Sequence, residues 1–101
     1  MIQLHPDDNF DQVMVSLPDG EELILVRVGN AVRAYRNSCP HLGIGLDYGD
    51  GRCLDADGKL ICAMHGARFE PADGYCIDGP CRGDSLEAVA IVIRDGAVLL
   101  A

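Results

Sequence analysis

The sequence predicts an all-β fold, because short runs of Val, Ile and Leu are separated by turn signals that contain Gly, Asp or Asn. No stretch carries a convincing 3.6-residue apolar repeat, as an amphipathic helix would. Apolar residues make up 49% of the 101 residues. This is enough to predict a single domain, residues 1–101, that folds around a modest core.

The first part of the chain predicts three strands. The runs VMVSL (13–17) and ELILVRV (22–28) flank the turn PDGE and predict a hairpin. The run AVRAYRN (31–37) follows the turn pair Gly29–Asn30 and alternates apolar with polar residues, which is typical of a half-buried strand.

The last part of the chain predicts a closing hairpin. The runs EAVAIVI (87–93) and AVLLA (97–101) flank the sequence RDG. Asp95 and Gly96 in this turn are suited to the positive φ angles of a tight hairpin connection.

The middle part of the chain is rich in Gly, Asp, Pro and Cys and predicts short strands joined by the turns DADG and PADG. These strands are RCL (52–54), KLIC (59–62), ARFE (67–70) and YCI (75–77). We therefore expect a β meander with a smaller, turn-rich insert over about residues 38–82, which presents two loops.

Each of these loops carries one cysteine and one histidine. Cys39 and His41 have one residue between them, and Cys62 and His65 have two. Two thiolates and two imidazoles can hold one tetrahedral zinc ion, or a binuclear iron–sulfur cluster with thiolates on one iron and imidazoles on the other. Zinc modules usually pair like ligands, so the mixed pairs favour the cluster, with a structural zinc site as the alternative.

The net charge argues against two classes of partner, and the N-terminus bears on where the protein is located. Eight basic and 16 acidic residues give a net charge of −8, which argues against nucleic acid and anionic membrane surfaces and is compatible with a basic protein partner. The N-terminus predicts no signal peptide, and no apolar run approaches the ~20 residues of a membrane span. We therefore expect a cytoplasmic protein, whose thiols stay reduced and bind metal rather than form disulfides.

The pattern CPHLG…CAMHG resembles the C-x-H…C-x-x-H motif of Rieske-type iron–sulfur proteins, and nearly the whole chain is similar to a small Rieske-type ferredoxin. The resemblance implies a Rieske-like antiparallel β-sandwich with one 2Fe-2S cluster. It further implies that the thiolates of Cys39 and Cys62 bind one iron and that Nδ1 of His41 and of His65 bind the other.

The resemblance also implies supporting residues around the cluster. Gly43 and Gly66 would let the backbone approach the sulfides, and Pro80 in IDGPC would lie in a third loop that shields the cluster. Ordinary turn formation is the alternative explanation for all three residues.

The function that the resemblance implies is one-electron transfer without catalysis. Similar proteins pass electrons from a flavin-dependent reductase to the terminal oxygenase of a ring-hydroxylating dioxygenase or a similar acceptor, and we expect a monomer. The chain has no dinucleotide-binding glycine motif and no two-histidine, one-carboxylate iron site. The alternative is an accessory redox or regulatory subunit of a larger oxidoreductase, of the nitrite reductase small-subunit type.

Two departures from other Rieske proteins bear on the potential. Respiratory and photosynthetic members carry a disulfide between the ligand loops, whereas the matching residues here are Ile44 and Met64. They also place hydroxyl groups near the cluster sulfurs, where this chain has Ala67 and Phe69. Because such hydroxyls stabilise the reduced cluster, their replacement predicts a potential near the low end of the Rieske range, roughly −150 to +300 mV.

The remaining histidine and cysteines are not expected to bind the cluster. His5 is predicted to lie at the surface. Cys53, Cys76 and Cys81 are predicted to be small core residues, with a Cys76–Cys81 disulfide as the alternative for the last two.

Overall fold

The computed structural model describes residues 2–38, 46, 53–62, 66–79 and 83–101. Within these ranges every regular element is a β-strand, and the all-β prediction is confirmed. The strands form three antiparallel three-stranded sheets in the orders β1-β9-β8, β2-β3-β4 and β5-β6-β7. Their bounds are β1 Gln3–His5, β2 Gln12–Ser16, β3 Glu22–Val28, β4 Ala31–Arg36, β5 Leu60–Ile61, β6 Arg68–Phe69, β7 Cys76–Asp78, β8 Ile91–Arg94 and β9 Ala97–Leu100.

Strand β3 is the centre of the fold because it is buried on both faces. Leu23 and Leu25 belong to one hydrophobic cluster, and Ile24 and Val26 belong to another. None of the four is more than 1% exposed. Successive side chains of a strand point to opposite faces, so an uninterrupted apolar run is what a strand between two cores requires.

The two cores lie on opposite faces of the β2-β3-β4 sheet. The first core joins this sheet to β1-β9-β8 through Leu4 and Val98. The second core joins it to β5-β6-β7 through Leu60, Phe69 and Cys76. The second core also receives residues from the ends of the two predicted ligand loops, so the small sheet positions the site against the central one.

Both predicted hairpins form. Strands β2 and β3 pair from Gln12 opposite Val26 to Ser16 opposite Glu22. In the turn between β8 and β9, Asp95 has φ 54° and Gly96 has φ 82°, which is the positive-φ pair that matches the twist of a two-residue hairpin.

The structure differs from the predicted strands in three places. Strand β1 was not predicted, since its three residues carry too little pattern, and it forms by pairing with β9. The predicted strand 87–93 is divided: Ala88 pairs with Tyr35 of the central sheet, whereas β8 begins at Ile91 in the outer sheet. Of the predicted strand 52–54, the described residues contribute an isolated bridge from Leu54 to Leu60.

No helix in the part of the chain described above has the length and apolar character needed to cross a membrane.

Candidate metal centre

The second ligand loop is closed at its base by backbone hydrogen bonds. The Cys62 N–H donates to the Ala67 carbonyl at 2.8 Å, and the Gly66 N–H donates to the Cys62 carbonyl at 2.8 Å. Gly66 has φ 71°, a conformation that glycine adopts without strain. Cys62 directly follows β5 and is completely buried. The hairpin of β5 and β6 therefore holds this thiol at the base of the second ligand loop.

Several of the predicted site residues lie outside the described residues. Of the four predicted ligands, the structure places Cys62, and of the supporting residues it places Gly66. The other predicted site residues fall outside the described ranges, and they are Cys39, His41, His65, Gly43 and Pro80.

The base of the first loop reaches the same core as Cys62. Leu46, just beyond this loop, is completely buried in the second core. Its backbone N–H donates to Oδ1 of Asn37 at 2.7 Å. Both ligand loops are thus anchored on one hydrophobic cluster, as a site assembled from distant parts of the sequence requires.

The segment after β7 packs against the second ligand loop at Gly79. A Cβ atom at Gly79 would lie 2.6 Å from the Ala67 Cα, and Gly79 has φ 96°. A glycine is required here for both reasons. The sequence analysis singled out Pro80 in IDGPC and not Gly79. The available signal for Gly79 was a glycine that follows Asp78, just after the predicted strand 75–77.

Charged side chains of β6 and of the turn before β5 are paired with each other. Arg68 of β6 forms ion pairs with Asp55 at 2.8 Å and with Asp57 at 3.1 Å. Burial raises the pKa of Asp55, but the hydrogen bonds from the Lys59 N–H, the Arg68 guanidinium and the Asp57 N–H outweigh it, so this pKa is lowered. The hydrogen bond to Asp55 in turn raises the pKa of Arg68.

The resemblance implies that other Rieske proteins carry hydroxyl groups at two positions that are Ala67 and Phe69 in this chain. Ala67 and Phe69 are both completely buried. Tyr35, which belongs to the same core, donates its hydroxyl to the Pro71 carbonyl at 2.6 Å.

The other cysteines that the structure describes lie in the core, as predicted. Cys53 is 2% exposed and Cys76 is completely buried. The Cys76 thiol lies 3.2 Å from the Asp78 carbonyl. Cys81 is outside the described residues, so its pairing with Cys76 stays untested.

His5, predicted at the surface, is partly buried. Its side chain is 26% exposed, and its ring packs edge-on against Phe10 at a centroid distance of 4.8 Å.

The donor set fits an iron–sulfur centre with mixed ligands. The chain supplies two cysteines and two histidines in paired loops, and Cys62, the one of these cysteines that the structure describes, is buried against a hydrophobic core. A low-polarity surrounding is one of the means by which proteins tune such clusters.

The comparisons with known proteins agree with this assignment. The family model described as Rieske [2Fe-2S] domain matches residues 4–92. No curated protein matches the chain significantly.

Three solved structures are examples of proteins with a similar fold. The ferredoxin of carbazole 1,9a-dioxygenase from Nocardioides aromaticivorans IC177 is 27% identical, with 98% of this chain and 91% of that chain covered and a TM-score of 0.71.

The other two structures show how widely the fold is shared. The plasma membrane Rieske protein PetC3 from Synechocystis PCC 6803 is 25% identical, covers 90% of this chain and 86% of its own, and has a TM-score of 0.70. A complex of reduced oxygenase and oxidized ferredoxin in carbazole 1,9a-dioxygenase contains a chain that is 23% identical. It covers 100% of this chain and 98% of its own, with a TM-score of 0.72.

Proposed function

Because the chain belongs to the family of Rieske [2Fe-2S] domains, we propose that it is the ferredoxin component of a ring-hydroxylating oxygenase system. It carries one Rieske-type 2Fe-2S cluster and is an electron carrier, not an enzyme. In the proposed system it takes one electron from a flavin-dependent reductase and passes it to a terminal oxygenase or a similar acceptor. It does so as a monomer in the cytoplasm.

The observation that carries this proposal is the family match over residues 4–92, which include all four proposed ligands. The proposed ligand set is Cys39 and Cys62 on one iron, and His41 and His65 on the other. When bound, the cluster supplies the ability to accept and release a single electron.

The residues of this chain would position that centre. Cys62 is presented from a loop closed by its own backbone, and Leu46 anchors the end of the other loop in the same core. Gly79 packs the segment that leads to Pro80 against Ala67. We propose that Gly66, Gly43 and Pro80 complete this support, with the outer edges of the two imidazoles as the exit for the electron.

The choice of an oxygenase as the acceptor is supported by two similar structures. One is described as a ferredoxin of carbazole 1,9a-dioxygenase, and the other contains an oxygenase together with a ferredoxin. Electron-transfer complexes use small, weak interfaces. The net charge of −8 would speed encounter with a basic docking surface on such a partner.

Electron paramagnetic resonance (EPR) before and after reduction with dithionite tests the cluster, with iron and acid-labile sulfide measured on the same sample. We expect a rhombic signal on reduction, with the low average g value of mixed histidine and cysteine ligation. His41→Cys or His65→Cys should change the signal and the potential. Cys53→Ala, at a buried cysteine outside the ligand set, should leave both unchanged. A colourless protein with stoichiometric zinc would exclude the proposal.

The partner is tested by mixing the reduced protein with the terminal component of a ring-hydroxylating oxygenase in a stopped-flow instrument. We expect rapid oxidation of the carrier, with a rate that falls as salt screens the charges of the two proteins. A stable complex with a different, larger oxidoreductase during purification would favour an accessory subunit instead.

A further inference from the structure

We infer that Asn37 is a positioning residue for the cluster, because its side chain closes the first ligand loop and holds it on the core. The inference rests on the proposed function, since the loop over residues 38–45 carries the proposed ligands Cys39 and His41.

The closing contact joins the two ends of this loop. Oδ1 of Asn37 accepts a hydrogen bond from the Leu46 N–H at 2.7 Å, and the two residues are nine positions apart. Leu46 is completely buried in the second core. The asparagine therefore fixes the backbone at the point where the loop enters the core.

Asn37 is itself held in one orientation by β3. Its backbone N–H donates to the Glu22 carbonyl at 3.0 Å, and its Nδ2 donates to Glu22 Oε1 at 3.4 Å. The Leu46 N–H can only donate, so it must face the amide oxygen, and Nδ2 must then face the carboxylate. The contacts with Leu46 and Glu22 agree on the same orientation. The end of the loop is thereby connected to the strand that is buried on both faces.

The second ligand loop is closed at its base in a different way. Backbone hydrogen bonds from Cys62 to Ala67 and from Gly66 to Cys62 close that loop, because it lies at the end of a hairpin. The first loop leaves β4 after Arg36, and the bond described across its base comes from a side chain. The Asn37 side chain thus joins the two ends of the first loop, as backbone hydrogen bonds join the two ends of the second loop. Rigid support of this kind keeps the ligands of a site in a fixed geometry.

Asn37→Leu tests this role, because leucine has a similar size but no acceptor. The buried Leu46 N–H would then lose its partner, at a cost that corresponds to about a tenfold or larger change in an equilibrium or rate. In the cluster-loaded protein we expect faster hydrogen exchange, measured by mass spectrometry, in the peptide that contains Leu46. We also expect about tenfold faster loss of the visible absorbance in the presence of a chelator, and altered EPR g values.

Two further variants keep the test decisive if Asn37→Leu does not fold. Asn37→Asp is made together with Glu22→Gln, so that its second oxygen faces a neutral amide and not a carboxylate. It retains an oxygen at the acceptor position and should preserve the protection of Leu46. Asn37→Ser has a side chain too short to reach and should not. Circular dichroism during thermal unfolding measures global stability in parallel, so that a general loss of stability is separated from a local effect on the loop.

The inference is supported if exchange at Leu46 and the g values change in Asn37→Leu and Asn37→Ser and are restored in Asn37→Asp. Equal exchange in the wild type, Asn37→Asp and Asn37→Ser would overturn it. A wild-type protein without an iron–sulfur signal would refute the proposed function instead. The same exchange measurements would still decide whether Asn37 closes the loop.

Discussion

Gly79 packs against Ala67 with no room for a side chain: a Cβ atom at Gly79 would lie 2.6 Å from the Ala67 Cα and 3.1 Å from its backbone nitrogen. The carbonyl of Ala67 in turn accepts the hydrogen bond from the Cys62 N–H. The segment after β7 therefore packs against Ala67, the residue that closes the second ligand loop.

Gly79→Ala is expected to displace this loop and to weaken cluster binding. Gly83→Ala is the matched control: Gly83 has φ 98° against 96° for Gly79, but a Cβ atom added there would meet no atom of the described residues within 4 Å. Both variants should lose about 1–3 kcal/mol of unfolding free energy from backbone strain. Gly79→Ala should lose about 1–3 kcal/mol more from overpacking. Chemical denaturation and iron content measure the difference, and equal losses would contradict the packing argument.

The absence of hydroxyls at Ala67 and Phe69 predicts a low potential. We expect the wild-type midpoint to lie near the lower end of the Rieske range of roughly −150 to +300 mV. Ala67→Ser and Phe69→Tyr should each raise it, because a hydroxyl directed at a cluster sulfur stabilises the more negative, reduced state. Protein-film voltammetry gives the midpoints directly.

Val98→Thr serves as the control for these two variants. It also introduces a hydroxyl at a completely buried position, but in the first core, on the other face of the central sheet. Its midpoint should equal that of the wild type. A wild-type midpoint well above zero would refute the prediction of a low potential.

The strands that the sequence predicts best are those with a strong local pattern. The bounds of β3, residues 22–28, agree with the prediction because burial on both faces demands a continuous apolar run. Strand β1 has no such pattern, and its partner β9 lies at the other end of the chain. A pairing of that kind depends on the tertiary fold and cannot be predicted from a three-residue sequence.

The candidate site likewise has a part that local sequence patterns predict and a part that depends on the tertiary fold. The paired cysteines and histidines are local motifs, so the sequence predicts the cluster and its ligands, of which the structure describes Cys62. The contact between Gly79 and Ala67 could not be predicted, since it depends on the pairing of β6 with β7, whose register shifts between Arg68 and Phe69. The bond from Asn37 to Leu46 likewise depends on the path of the loop between them.

Tyr35→Phe should destabilise the fold without changing the cluster. The buried hydroxyl donates to the Pro71 carbonyl at 2.6 Å, and its removal leaves this acceptor without its donor, at a cost of about 1–2 kcal/mol. Tyr75→Phe is the matched control, because Tyr75 is 46% exposed, and it should unfold at the wild-type temperature. Thermal unfolding followed by circular dichroism tests both variants.

Tyr35 also predicts how stability falls in alkali. Burial, and then the negative charge of Asp73, raise the pKa of Tyr35 above its ordinary value of 10.0. As the pH rises above that value, the unfolded state releases the tyrosine proton while the folded state retains it, so stability is lost until the folded pKa is passed. The advantage of the wild type over Tyr35→Phe should therefore shrink above about pH 10. A constant difference across that range would show that the tyrosine titrates alike in both states.

Asp55→Asn should change the response of stability to acid. Burial alone would raise the pKa of Asp55, but the hydrogen bonds from Lys59, Arg68 and Asp57 lower it below the ordinary value of 3.8. The stability that this carboxylate contributes is present above that value and is lost as the pH falls through the folded pKa, because only the unfolded state takes up the proton in between. Asparagine keeps an acceptor for the backbone N–H groups but cannot titrate. Urea unfolding at a series of pH values should therefore show that the unfolding free energy falls less steeply in acid for Asp55→Asn than for the wild type. Parallel declines in the two proteins would mean that the network around Arg68 does not favour the ionised form.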